Sequence, residues 1–160
     1  MPNWCSNNLT LTHGDPAMID RVEAAVKAGK LLNEFVTRPE DQEADWYNWN
    51  IANWGTKWDV GDEHSILDRE GNSIVLSFDS AWAPPTKAYE IFQDLGFQVE
   101  AYYYEPGLAF CGKFDEDGDD YYEYGGMSAD EARDVIPSEI DEMFGICDYI
   151  EEWEEESEDE

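Results

Sequence analysis

The sequence predicts an α+β fold built around an antiparallel sheet, and three observations lead to this prediction. Segments in which polar and apolar residues alternate, as in half-buried strands, lie at residues 7–12, 73–78 and 97–104. Two segments with apolar residues at helical spacing separate these strands, and each ends at a glycine. The chain has 160 residues, 42% of them hydrophobic, which is enough for one domain with its own core.

The first part of the chain predicts a strand followed by a helix. Leu9 and Leu11 alternate with polar residues in the segment 7–12, which places both leucines on one face of the strand. Asp15 precedes Pro16, the usual arrangement of an N-cap followed by proline at the first helical position. We therefore predict that the chain enters its first helix directly after the first strand.

Residues 46–60, WYNWNIANWGTKWDV, contain four of the seven tryptophans. This segment is too apolar for an exposed loop and too irregular for a plain strand. We predict an aromatic-rich insertion that closes one end of the domain. A short helix is expected over 46–54, ended by Gly55, with a strand beginning within 56–60.

The remaining elements complete a ferredoxin-like plait. A hairpin is predicted next, and a second helix follows Pro84-Pro85 and ends at Gly96. The resulting order, βαββαβ, is that of the ferredoxin-like fold, with both helices on one face of the sheet. The hairpin arms are predicted at 64–68 and 73–78, and the last strand of the plait is predicted at 97–104. Two extra C-terminal strands are predicted at 108–114 and 121–124, and the whole domain is predicted to span 1–127.

The C-terminal segment 128–160 predicts an acidic helical extension packed on the same domain. Ser128 and Glu131 have the spacing of a capping box, and two helices are expected at 129–136 and 139–155. In the second helix an apolar stripe faces the domain. Four acidic residues at helical spacing lie on the opposite side: Asp141, Asp148, Glu152 and Glu155.

The charge of the chain is strongly negative and unevenly distributed. It has 39 acidic and nine basic residues, a net charge of −30. Residues 115–160 hold 21 acids and one base, Arg133, which gives that segment a net charge of −20. Such a field repels phosphate and anionic lipid, so direct binding to nucleic acid or to a membrane is disfavoured. The expected partner is a basic nucleic-acid-binding protein or complex of the host.

The same composition predicts a protein of the bacterial host cytoplasm. No run of about 18 apolar residues is present, as a membrane span requires. The first residues lack the basic and apolar regions of a signal peptide. Three cysteines form neither a metal motif nor an even set for disulfides, and a reducing compartment suits them.

Catalytic and metal motifs are poorly matched. An EF-hand loop that began at Asp115 would need glycine and glutamate where Asp120 and Gly126 stand. Residues 59–64 contain three acids and His64 at spacings that fit no standard metal site. Cys5 is a candidate thiol nucleophile, but a small buried cysteine without a catalytic role is the commoner case. We therefore expect a non-enzymatic protein without metal or cofactor. A metal-dependent enzyme is kept as an alternative.

Three motifs resemble those of the YubB-type family of plasmid and phage proteins, which contain a ferredoxin-like domain. They are MPNWCSNNLTLTH, WYNWNIANWGTKWD and FDSAWAPP, and they occur in the expected order within roughly residues 1–114. The resemblance implies a ferredoxin-like fold and a setting on mobile genetic elements. Among the matching positions are Trp4, Trp49, Trp54, Gly55, Trp58 and Trp82.

Together these features predict an acidic inhibitor of a host defence complex, of the anti-CRISPR or anti-restriction type, that mimics nucleic acid. Carboxylates at every third or fourth helical position repeat at about 5–6 Å, close to a single-strand phosphate step. An interaction or assembly module that binds through its aromatic residues is the alternative. The predicted partner-binding residues are Glu139, Asp141, Glu142, Asp148, Glu151, Glu152, Glu154, Glu155, Asp115, Asp117 and Asp119.

Overall fold

A computed structural model describes residues 3–158 of the chain. The described residues form an α+β structure with a six-stranded antiparallel sheet, which confirms the predicted class. The strands follow the order β2-β3-β1-β4-β5-β6 across the sheet. Their bounds are β1 Trp4–Thr12, β2 Ile66–Glu70, β3 Ser73–Ala81, β4 Gln98–Glu105, β5 Phe110–Asp115 and β6 Gly118–Glu123.

Seven α-helices and one short 3₁₀ helix accompany this sheet in the part of the chain that the structure describes. Among residues 3–158, none of the helices combines the length and the apolar content needed to cross a membrane. The helices are α1 Pro16–Lys27, α2 Leu31–Phe35, α3 Trp46–Asn53, α4 Thr86–Asp94, α5 Ala129–Val135, α6 Ser138–Phe144 and α7 Ile146–Glu158, and the 3₁₀ helix is Glu40–Asp45.

The first face of the sheet carries the larger core. Leu9 of the central strand β1 is opposite Leu76 on one side and Ala101 on the other, so all three side chains share this face. Helices α1 to α4 cover it. α1 begins at an N-cap, where the Asp15 side chain accepts from the Ala17 N–H at 3.0 Å, and its buried face includes Val22.

The second face is covered over one half only. Helices α5 to α7 lie over β4, β5 and the end of β6, and α6 contacts β4 and β5 directly. Their core is smaller and brings helical residues such as Ile140 and Ile146 against Tyr102 and Cys111 of the sheet. The polar residues of β1 on this face, such as Thr10, stay half-exposed.

Two predicted elements are wrong. No strand forms over residues 56–60, because side chains fix this segment to the rest of the fold. The buried Thr56 hydroxyl donates to the Ala81 carbonyl at 2.8 Å, and Asp59 accepts from the backbone N–H of Leu32 and Val60. Nor does one helix run over 139–155.

The predicted C-terminal helix is interrupted at Gly145. This residue has φ 67° and ψ 35°, a left-handed conformation that glycine adopts without strain and that ends α6 at Phe144. A separate helix, α7, then begins at Ile146. The last strand is also shifted, since β6 begins at Gly118 rather than at residue 121.

Candidate functional site

The predicted partner-binding residues all belong to the C-terminal part of the chain. We call this part the acidic layer and define it as residues 115–158, which contain the turn between β5 and β6, strand β6 and helices α5 to α7. Helices α5 to α7 of the acidic layer rest on the sheet through the second core, so their carboxylates are carried by a fixed scaffold. Several of them have partners within the molecule.

The break at Gly145 divides the predicted row of carboxylates. Asp141 belongs to α6, whereas Asp148, Glu152 and Glu155 belong to α7. On α7 these three residues remain at steps of four and three residues and so share the outward side of that helix. The continuous stripe from residue 141 to residue 155 is therefore not formed, and a shorter stripe on α7 remains.

Two of the predicted carboxylates cap helices. Asp141 Oδ1 accepts from the Cys147 backbone N–H at 2.7 Å, at the start of α7. Glu154 Oε1 accepts from the Ala129 backbone N–H at 2.8 Å, at the start of α5. The first N–H groups of a helix have no partner within the helix, so each carboxylate fills a structural requirement.

Arg133 forms ion pairs with two further predicted residues. Its guanidinium lies 2.5 Å from Glu151 and 3.5 Å from Asp148, and it also contacts Asp130 at 3.3 Å. The hydrogen bond to Glu151 raises the pKa of Arg133 further above its already high ordinary value. This arginine therefore ties α5 to α7.

Lys113 of strand β5 has the same role between the sheet and α6. Its ammonium lies 3.4 Å from Glu139 and 3.8 Å from Asp115. The side-chain contact with Tyr102 is the main cause that raises the pKa of Lys113. Glu139 and Asp115 are therefore partly neutralised by a cation from the sheet.

Asp119 lies on the opposite side of β6 from the acidic helices. Its Oδ1 accepts from the Tyr103 hydroxyl at 2.5 Å. Partial burial raises the pKa of Asp119, although the tyrosine hydrogen bond acts in the opposite direction. The structure therefore separates Asp119 from the other predicted partner-binding residues.

Four of the predicted residues are exposed and form no side-chain contact of this kind among residues 3–156, whose side chains the structure describes. There, no hydrogen bond or ion pair involves the side chain of Asp117, Glu142, Glu152 or Glu155. Four other exposed carboxylates of the acidic layer share this property, although they were not predicted. We call the eight residues the free carboxylates; the additional four are Glu116, Asp120, Asp134 and Glu156.

The tryptophan-rich insertion divides into a packed and an exposed part. Trp54 is buried, and its indole N–H donates to the Val36 carbonyl at 2.8 Å, while Trp49 packs edge-on against it. Trp46 and Trp58 are exposed, and Trp58 lies beside the exposed Trp4 with ring centroids 5.9 Å apart. The insertion is therefore only partly core.

Gly55, another position of the motifs that resemble the YubB-type family, has φ 89°. A residue with a side chain would adopt this backbone angle only with strain. A Cβ here would also lie 3.2 Å from the Lys87 backbone nitrogen. The glycine thus allows the insertion to approach the first turn of α4 closely.

The other chemical candidates are occupied by structural contacts. Asp59 accepts from three backbone N–H groups, at 2.7 to 2.9 Å, and Asp62 accepts from the His64 N–H. Among residues 3–158, no three His, Cys, Asp or Glu side chains are grouped as a metal site requires. Burial raises the pKa of the Cys5 thiol to about 12, so Cys5 is not an activated nucleophile.

Tyr103 and its partner Asp119 are the pair that sequence patterns did not reveal. Gly112, in the strand between them, was the available signal, because glycine within a strand often marks the close approach of another group. A Cβ at Gly112 would overlap the Tyr103 hydroxyl group. The tyrosine ring therefore uses this gap to cross β5.

No family model and no curated protein matches the chain. Among solved structures, the chain is similar to the crystal structure of protein api92 from Yersinia pseudotuberculosis, which is assigned to family DUF1281. The two chains are 13% identical with a TM-score of 0.45, and the similarity covers 79% of this chain and 99% of the other. At these values the similarity carries no argument about fold or function.

Proposed function

We propose that the chain is a non-enzymatic inhibitor that places the acidic layer in the basic nucleic-acid channel of a host defence complex of the anti-CRISPR or anti-restriction type. A ferredoxin-like plait would be its scaffold. The order β2-β3-β1-β4, with α1 and α4 packed in one core, favours this finer assignment. A YubB-type origin on a plasmid or phage belongs to the same proposal.

The observation that carries the proposal is the set of free carboxylates. They are exposed and, within the described residues, without an internal partner, and they lie on a layer anchored to the sheet. On α7, the free carboxylates Glu152 and Glu155 are separated by about 4.5 Å along the helix axis, comparable to the spacing of charges on a nucleic acid strand. A rigid array loses little entropy on binding, which favours association with a preformed groove.

Physical chemistry predicts how such a complex would behave. Attraction between an anionic surface and a basic groove accelerates association and releases bound ions, so affinity falls steeply as salt rises. Nucleic acid would compete for the same groove. A partner held mainly by apolar contacts would resist salt.

The experiment compares two variants that carry the same charge change. The test variant neutralises four predicted free carboxylates by Asp117→Asn, Glu142→Gln, Glu152→Gln and Glu155→Gln. The control variant changes four exposed carboxylates of the first helical layer and β2, each without an internal partner among residues 3–158, by Glu40→Gln, Glu70→Gln, Glu90→Gln and Asp94→Asn. Each variant has a net charge of −26 instead of −30.

Both variants and the unchanged protein are immobilised and exposed to a bacterial lysate at low salt, followed by stepwise salt elution. The proposal expects a nucleic-acid-binding complex that is retained by the unchanged protein and the control, is lost with the test variant, and is displaced by added DNA or RNA. Equally reduced retention by both variants would show that net charge, not the acidic layer, governs binding, and undiminished retention by both would contradict a role for these carboxylates.

A second candidate function is an interaction module that uses the exposed part of the tryptophan insertion. The observation that favours it is the exposure of Trp4, Trp46, Tyr47 and Trp58, since contiguous aromatic residues at a surface often form protein contacts. In that case Trp46→Ala with Trp58→Ala would reduce partner retention more than the acidic test variant. The partner would also stay bound as salt rises.

A further inference from the structure

The first face of the sheet bears a cavity that the helices α1 to α4 leave uncovered. Its volume is about 330 Å³, within the range of small-molecule pockets. It lies between strands β4 to β6 and the segment that precedes α4. Six residues carry its chemistry: Trp82, Pro84, Tyr103, Phe110, Asp119 and Tyr121.

The pairing register of β4, β5 and β6 shows which residues form the floor of this cavity. Tyr103 of β4, Gly112 of β5 and Tyr121 of β6 are directly opposite one another, so they share one face of the sheet. Because Gly112 has no side chain, the Tyr103 ring lies across β5 and its hydroxyl donates to Asp119 Oδ1 at 2.5 Å. The tyrosine thus holds the carboxylate in a fixed position.

Two exposed aromatic rings line the same cavity. Tyr121 is 49% exposed and packs on the buried Phe110 with ring centroids 5.2 Å apart. Trp82 is 41% exposed. Within residues 3–158, the cation–π contacts involve other rings, and neither Trp82 nor Tyr121 takes part in one. Both rings therefore remain available to a ligand.

The backbone at Trp82 is strained. Its φ is 72°, in the left-handed region that a bulky residue rarely adopts. The Trp82 N–H donates to the Asn3 carbonyl at 2.8 Å, which helps to hold this conformation. Strain of this kind persists where the surrounding structure fixes it, and it is concentrated at functional sites.

We propose that this cavity binds a guanidinium group, which stacks on Trp82 and Tyr121 and donates hydrogen bonds to Asp119. Guanidinium is planar and weakly hydrated, so it stacks on aromatic rings while its N–H groups bond to a carboxylate. The net charge of −30 attracts cations and repels anions. This proposal does not depend on the proposed inhibition of a defence complex.

The site can be tested by NMR titration of the full chain. The probes are N-acetyl-arginine amide, N-acetyl-lysine amide and sodium chloride at equal ionic strength. The signals followed are the backbone amides of residues 118–123 and the indole N–H of Trp82, which is identified by its loss in Trp82→Phe. The arginine probe is expected to shift these signals saturably and to bind more tightly than the lysine probe.

Three variants separate the site from general attraction to charge. Asp119→Asn keeps the shape of the side chain and is expected to weaken arginine binding about tenfold, as the loss of a charged hydrogen-bond acceptor does. Glu142→Gln removes the same charge from the acidic layer and is expected to leave binding unchanged. Trp82→Gly removes the ring but suits φ 72°, so binding should fall without loss of thermal stability.

Two outcomes would overturn the proposal: equal shifts with sodium chloride, or equal weakening by Asp119→Asn and Glu142→Gln. Either would mean that the cavity holds no specific guanidinium site. If neither outcome occurs, a glycine-rich peptide with one arginine identifies the source of the ligand. Tighter binding of the peptide than of the amide indicates an arginine of a protein, and equal binding indicates a free guanidino compound.

Discussion

The two helical layers stabilise the same sheet in different ways. The core under the first layer contains 19 buried residues, whereas the core under the acidic layer contains eight, counted within residues 3–158. In the first layer, acidic residues pair with basic ones, such as Glu34 with Arg21 of α1 and Asp20 with Arg69 of β2. Residues 115–160 have one basic residue, Arg133, for 21 acidic ones.

This difference shows that acidity in the second layer is partly structural. Where buried apolar area is small, the layer gains order from Asp141 and Glu154 at helix starts and from Arg133 between helices. Those carboxylates are already engaged within the molecule. A partner would therefore meet mainly the free carboxylates, a smaller set than the total charge suggests.

The largest expected effects come from truncating each core. Leu9→Ala and Ile140→Ala both remove fully buried side chains and should each cost about 3 kcal/mol in the free energy of unfolding. Because Leu9 lies in the central strand, its truncation should destabilise the whole chain together. Because Ile140 belongs to α6 and packs in the smaller core, its truncation should loosen α5 to α7 before the sheet.

Hydrogen exchange measured by NMR distinguishes the two responses. In Leu9→Ala, amides of β1 and α7 should lose protection together. In Ile140→Ala, the amides of α7 should lose protection while those of β1 keep most of it. Parallel loss in both variants would mean that the two layers unfold as one unit, and the contrast between them would then be wrong.

The same contrast explains what sequence patterns could predict. Strands and helices with regular periodicity, such as β1 and α4, were located closely, since burial on one face fixes their pattern. The end of α6 at Gly145 was missed because the apolar stripe continues through it. The structural roles of Asp141 and Asp119 depend on contacts with residues 147 and 103, which local patterns do not contain.

A smaller effect is expected at Asp141. Its carboxylate caps α7, so Asp141→Ala should cost about 1 kcal/mol in the free energy of unfolding. Asp141→Asn keeps an acceptor oxygen and should cost only a fraction of that. Chemical denaturation measures both. If the two variants are equally destabilised, the charge of Asp141 matters rather than the cap.

A still smaller effect is expected from Arg133→Gln. Without the guanidinium, Asp130, Asp148 and Glu151 lose their shared cation, so thermal stability should fall at low salt. The fall should shrink as salt screens the carboxylates. Lys27→Gln is the control in the first layer, because Lys27 contacts a single carboxylate among the described side chains, that of Glu23 at 3.6 Å. Equal salt dependence in both variants would contradict a special role for Arg133.

The mildest test of the difference between the two helical layers uses the chain without substitutions and labels its thiols. Burial raises the pKa of Cys5 and Cys111 to about 12 and that of Cys147 to about 11, above the ordinary thiol value of 9.0. All three thiols are therefore neutral and slow to react at pH 8 while the chain is folded. Labelling then requires opening of the structure.

Cys147 lies in α7 and Cys5 lies in β1, so a weaker second layer predicts that Cys147 is labelled first. Mass spectrometry after labelling at pH 8 gives both rates. The raised pKa values also predict how stability changes at alkaline pH. The contribution of the thiols to stability is complete well below pH 9, and it is lost as pH rises from about 9 toward 12, because unfolded thiols ionise before folded ones do. If Cys5 reacts as fast as Cys147, opening involves both layers at once, and the acidic layer is then no less stable than the core beneath α1 to α4.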